Sequence, residues 1–155
     1  PTAAPIYRAR YAETFLRQRN YKDAYIHITL ALSEDSSNAD FWLLSAKAAR
    51  GLNRPQEALA NLQAALLLAP QRKDLLANKA LWLYEAGRYD QSIQCAQQIL
   101  KQEPNNQLAL LTWAMDEYYL NHKSSSRSLM QHAAKEAPDT FVGKIAGRLL
   151  QQLHF

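Results

Sequence analysis

Pro70, Pro104 and Pro138 account for three of the six prolines and stand 34 residues apart. A fixed period of that size constrains the architecture before any local propensity is weighed. Ser36 holds the place one step earlier. Ala12, Ala46, Ala80 and Ala114 form a second row at the same spacing, Ala24, Ala58, Ser92 and Ser126 a third, and Ala31, Ala65, Ile99 and Ala133 a fourth. Small side chains repeated in this way let helix axes approach. Trp42, Leu76 and Leu110 in one intervening row, and Ile28, Leu62, Ala96 and Met130 in another, supply the bulk that fills the space between them.

Each period reads as two antiparallel helices, the second ending ahead of a proline that cannot continue it. Asn53, Gly87 and Asn121 share the row of the intervening turn, where a left-handed backbone suits Gly and tolerates Asn; Arg19 breaks that row. Pro55 and Asp90 open second helices, the proline because its missing N–H is not needed there and the carboxylate because it faces the positive helix end. Ser124 is expected to cap another. The units fall at 5–38, 39–72, 73–106 and 107–140, behind a linker end at 1–4. Beyond them, 141–155 is expected to form a helix that sets Val142, Ile145, Ala146, Leu149 and Leu153 on one face and caps the last unit.

The period, the two-helix unit, the small rows and the terminal proline together make the chain resemble the tetratricopeptide repeat family over residues 5–140. The third unit is most like the pattern, with Ala80, Leu81, Trp82, Leu83, Tyr84, Gly87, Tyr89, Asp90, Ser92, Ile99 and Pro104 in place. The second matches at Trp42, Ala46, Ala58, Leu62, Ala65 and Pro70. The first lacks the proline and has Arg8 where a bulky apolar residue is usual, while the fourth has Lys123 in place of the aromatic seen at Tyr21 and Tyr89. The resemblance implies an all-α, right-handed α-solenoid of four helical hairpins with a C-terminal capping helix.

Composition places the chain among ordinary globular domains: 48% of residues are apolar and 21% charged, and the net charge of +4 comes from scattered groups. Neither nucleic acid nor membrane insertion is implied, since no run of about five or more like charges and no apolar stretch of about 20 residues occurs. Cys95 stands alone and reads as a small packed residue. The four histidines show no ligand spacing, and with four glycines and no phosphate-loop or nucleophile-elbow sequence, neither a metal, a cofactor nor a catalytic residue is expected. The basic group Arg8, Arg10, Arg17, Arg19 and Lys22 wraps several helix faces and reads as a solvated end.

The resemblance also implies where a partner lies, because the family binds mostly in a concave groove lined by the first helix of each unit. The lining carried over comprises Leu43, Lys47 and Arg50; Ala77, Leu81, Tyr84 and Glu85; and Leu108, Leu111, Met115, Tyr118 and Tyr119, after a first unit contributing Ile6 and Arg17. Its second half is aliphatic, sulfur-bearing and aromatic, which supplies contact area at low entropic cost. The bland alternative is that the final helix or a neighbouring hairpin buries part of this stripe. The carboxylate clamp that some members use on heat-shock chaperone tails is missing, since Ala9, Glu13, Leu44, Asp74 and Asn78 stand where its cations and amides would be.

The expected function is thus a scaffold or assembly factor that takes an apolar or amphipathic segment of another protein. The alternatives are a self-association module or an accessory domain of a larger, envelope- or secretion-related protein. The compartment, cytoplasmic or periplasmic, is left open.

Overall fold

The computed structural model describes residues 3–155 and divides into two compact units, 1–75 and 76–155. Nine α-helices and no strand occur among the described residues. They are α1 (Ala3–Arg17), α2 (Tyr21–Glu34), α3 (Ala39–Gly51), α4 (Pro55–Leu68), α5 (Lys73–Glu85), α6 (Tyr89–Gln102), α7 (Gln107–Tyr119), α8 (Lys123–Glu136) and α9 (Phe141–Gln152). Of the linker expected over 1–4, Pro1 and Thr2 lie outside the described residues, and α1 begins at Ala3.

In the first unit α1 packs on α2, α3 on α4, and α3 also on α2 and α1. The small rows make this possible: Ala12, Ala24, Ala31, Ala46, Ala58 and Ala65 are all essentially unexposed. Ile28 and Phe41 fill the space between the first three helices. Tyr25 on α2 donates its hydroxyl to the Glu57 carboxylate on α4, and the Arg54 guanidinium lies 5.4 Å from the centre of the Tyr25 ring. At the start of α3, Trp42 Nε1 donates to the Ser36 carbonyl at 2.8 Å, so the position without proline still ties the chain down. Arg72 bridges Asp40 and Asp74 at 2.6 Å each, and that guanidinium holds the Asp74 carboxyl below its ordinary range.

In the second unit α6 packs on α7, α7 on α8, and α9 on α8 and α7. Leu110, Leu111, Ala114, Met130, Ala133 and Ala146 form the core of the last hairpin, with Val142, Ile145, Leu149 and Leu153 of α9 laid against it. The face expected of the last helix is therefore the one that covers the hairpin. Thr140 caps α9 by accepting from Gly143 N at 3.0 Å. Cys95 is buried and free, and burial pushes its thiol up.

Turn chemistry follows the register with one instructive exception. Asn53, Gly87 and Asn121 take φ of 60°, 71° and 64°, and Arg19 takes 58°. The geometry of the two-helix unit thus imposes a left-handed residue even where the side chain disfavours it. Ser124 does not cap α8: the N-cap is His122, which makes no side-chain cap bond, and Ser124 lies within the first turn. Side-chain caps among the described residues include Asn20, Asn38, Asn106 and Thr140, asparagine being as effective as serine in satisfying a first-turn N–H.

Candidate interaction surface

The repeat register gathers four tyrosines at one end of the second unit. Tyr84 lies in the last turn of α5, Tyr89 opens α6, and Tyr118 and Tyr119 end α7. Tyr89 stacks on Tyr119 with centroids 5.3 Å apart and planes 9° from parallel. Tyr84 meets Tyr119 edge-on at 5.8 Å and Tyr89 at 6.1 Å. Tyr118 stands perpendicular to Tyr119 at 5.9 Å and meets Phe155 at 6.0 Å. Offset and edge-to-face pairs of this kind are the arrangements that the ring quadrupole favours. Each ring braces the next, so the group presents a preordered aromatic surface. Burial, and after it the neighbouring Tyr119, raise the Tyr84 phenol above its ordinary range.

Directly beside this cluster is a carboxylate in an apolar setting. Asp116 on α7 is wholly buried, and neither of its oxygens has a hydrogen-bond partner among the described residues. Burial pushes its pKa up to about 7, with Glu117 and Asp90 adding to the rise. The Ser92 hydroxyl opposes that rise, but its proton is committed to the Ala80 carbonyl at 2.9 Å. Glu117 itself is engaged, accepting from Trp113 Nε1 at 2.8 Å and lying 2.7 Å from His122 Nδ1.

The predicted lining residues are divided by their burial. Leu81, Leu108 and Tyr119 are 43%, 52% and 53% exposed. Glu85 is exposed as well, and Ala77, Tyr84, Met115 and Tyr118 are half-buried. Leu111 belongs to the core of the last hairpin, and Met115 packs against that core; the covering α9 takes this part of the stripe. In the first unit Leu43 is buried whereas Lys47 and Arg50 are exposed. Helical spacing brings Leu81 and Tyr84, three apart, to one face of α5, and Met115 and Tyr119, four apart, to one face of α7.

Three features escaped the sequence reading. Asp116 occupies the row of Thr14, Ala48 and Trp82, and an acid in a row otherwise free of charge was the available signal. Tyr89 stands out in the sequence only as the aromatic that shares a row with Tyr21. The first hairpin also carries an exposed apolar patch, with Ile6, Tyr7 and Tyr11 on α1 and Ile26 and Leu30 on α2. The basic group nearby is partly neutralised, Arg8 pairing with Glu34 at 2.8 Å and Arg17 with Glu13 at 2.7 Å.

Among the described residues no group of three or more His, Cys, Asp or Glu side chains is placed to hold a metal ion. No described helix is long and apolar enough to cross a membrane.

No curated protein matches the chain in sequence. Its fold is similar to that of MamA 41-end from Desulfovibrio magneticus RS-1, at a TM-score of 0.82 and 13% identity over 96% of this chain and 92% of that one. It is similar also to YrrB, described as a TPR protein with an unusual peptide-binding site, at 0.78 and 20% identity over 89% and 71%. The first TPR of Spaghetti (RPAP3), bound to HSP90 peptide SRMEEVD, aligns at 0.72 and 16% identity over 78% and 96%. The tetratricopeptide repeat family model matches residues 49–113. The 34-residue period and the helical hairpins agree with these likenesses: residues 49–113 match the tetratricopeptide repeat family, and the chain is all-α and built of helical hairpins.

Proposed function

We propose that the chain is a protein-interaction module that holds an apolar or amphipathic segment of a partner against the aromatic face of its second unit. The carrying observation is the tyrosine cluster itself: Tyr84, Tyr89 and Tyr119 are interlocked, while Tyr119 and the nearby Leu81 remain about half exposed. Rigid aromatic groups of this kind bury much area on binding while little side-chain freedom remains to be lost. The peptide-bound and peptide-binding proteins of similar fold are in keeping with this use. No catalytic step is assigned to the chain.

The test is selection of random displayed peptides on the immobilised chain, followed by backbone amide NMR with one selected peptide. Shifts should cluster at residues 81–89 and 115–119. A map confined to the first unit would contradict the proposal.

The exposed patch of Ile6, Tyr7, Tyr11, Ile26 and Leu30 on the first hairpin favours a second reading, self-association through that hairpin. Sedimentation across a range of concentrations decides it: a monomer at high micromolar concentration removes this reading and leaves the first untouched.

A further inference from the structure

We infer that the partner segment bound at the tyrosine cluster carries an arginine or lysine, and that this cation docks on the Tyr84, Tyr89 and Tyr119 rings in the field of the buried Asp116 carboxylate. The inference rests on the interaction reading given above and specifies the chemistry of the occupant.

Two independent observations converge on a cation. The first is aromatic: three rings with centroids 5.3 to 6.1 Å apart bring their electron-rich faces into one small area. A guanidinium or ammonium is the group that such faces attract, and more strongly where water is excluded. The second is the orphaned carboxylate. Asp116 is fully buried and both oxygens lack a partner, an arrangement that is costly in isolation and is relieved by an opposite charge. Asp116 is close enough to Tyr84 for its charge to contribute to the rise of that phenol, after burial and the neighbouring tyrosines.

The charged groups that act on Asp116 share its sign. Asp90 and Glu117 act on Asp116 as like charges, and exposed Glu85 follows Tyr84 on α5. Lys79 and Arg88 are the cations on the adjoining stretches of α5 and the turn before α6; Lys79 acts on the Cys95 thiol, and neither pairs with Asp116. A purely apolar segment would satisfy Leu81 and the rings but leave Asp116 uncompensated. An acidic segment would meet repulsion from every nearby carboxylate. A basic amphipathic segment satisfies both the aromatic surface and the charge.

The experiment takes the peptides selected on the chain and resynthesises one with each arginine replaced by citrulline, which keeps the shape and removes the charge; a lysine is replaced by norleucine. Titration calorimetry at fixed salt and pH 8, where the Asp116 carboxyl with its pKa of about 7 is ionised, compares the charged and neutral forms on the parent and on Asp116→Asn. The charged form is expected to bind at least about tenfold tighter to the parent, and that discrimination should fall severalfold in Asp116→Asn. Tyr119→Leu, on an exposed side chain, should reduce the discrimination as well, and His122→Gln should leave it unchanged. Equal binding of the two forms overturns the inference, as does full discrimination retained by Asp116→Asn or Tyr119→Leu. Selected peptides without Arg or Lys also overturn it while leaving the interaction reading intact, whereas failure to select any peptide removes both.

Discussion

Ser92 Oγ donates to the Ala80 carbonyl at 2.9 Å across the hairpin between α5 and α6, and the same bond recurs one repeat later, where Ser126 Oγ donates to the Ala114 carbonyl at 2.7 Å. Two of the small rows are thus joined by a buried hydroxyl wherever the third row carries serine. Ala24 and Ala58 hold this row in the first two units and pack without it. Ser92→Ala should therefore fold normally and lose only about 1 kcal/mol in urea unfolding. Ser92→Val, which also adds volume where two helices meet, should lose more than Ser92→Ala. Equal stability of all three proteins would mean that the rows do not set the approach of the helices.

A Cβ on Gly51 would come within 2.1 Å of the Tyr21 ring, whereas one on Gly147 would meet nothing within 4 Å. Gly51→Ala must then displace an aromatic ring wedged between α2 and α3, and is expected to destabilise by about 1 to 3 kcal/mol. Gly147→Ala lies in the interior of α9 and should stabilise by about 0.5 to 1 kcal/mol through helix propensity. Thermal melts of the two variants, compared with the parent, should move in opposite directions.

Arg19 at φ 58° carries a strain that Gly87 at 71° does not. Arg19→Gly should accordingly raise stability by up to about 1 kcal/mol, since a side chain in the left-handed region is penalised and glycine is not. Denaturant titration measures it; a loss of stability would show that contacts of the Arg19 side chain outweigh the backbone strain.

Burial holds Asp116 protonated up to a pKa of about 7, above its unfolded value of 3.8. Between these two values the folded state binds the extra proton, so the stability it contributes is complete below about pH 4 and declines as pH rises towards 7. The slope attributable to this one group is at most about 1.4 kcal/mol per pH unit. The parent should melt lower at pH 8 than at pH 5, and Asp116→Asn should flatten the difference. A variant with the same pH dependence as the parent would place the titration elsewhere.

The period made the architecture legible because small residues at a fixed spacing determine which faces can approach, and the helices formed where the rows required them. Arg19 shows the strength of that constraint: the backbone kept the repeat's left-handed turn against the local preference. Ser124 shows its weakness, because cap choice depends on one residue of local geometry and the register leaves it open. The site was only half legible. Leu81, Leu108 and Tyr119 can be placed outward by helical spacing, but the burial of Leu43 and Leu111 depends on what neighbouring elements cover, and α9 decides that for Leu111. Asp116 could be seen as an odd acid in its row, yet its isolation from partners is a property of packing alone.

The most direct measurement is the affinity of one selected peptide for the parent and for Tyr119→Ala and Leu81→Lys, taken together with helicity and melting temperature. Both side chains are about half exposed, so both variants should keep the parent's helicity and melt near it. Binding should weaken by about tenfold or more, the loss expected when a central anchor of an interface is removed. Parental affinity in two well-folded variants would contradict the assignment of the aromatic face of the second unit as the surface that holds the partner.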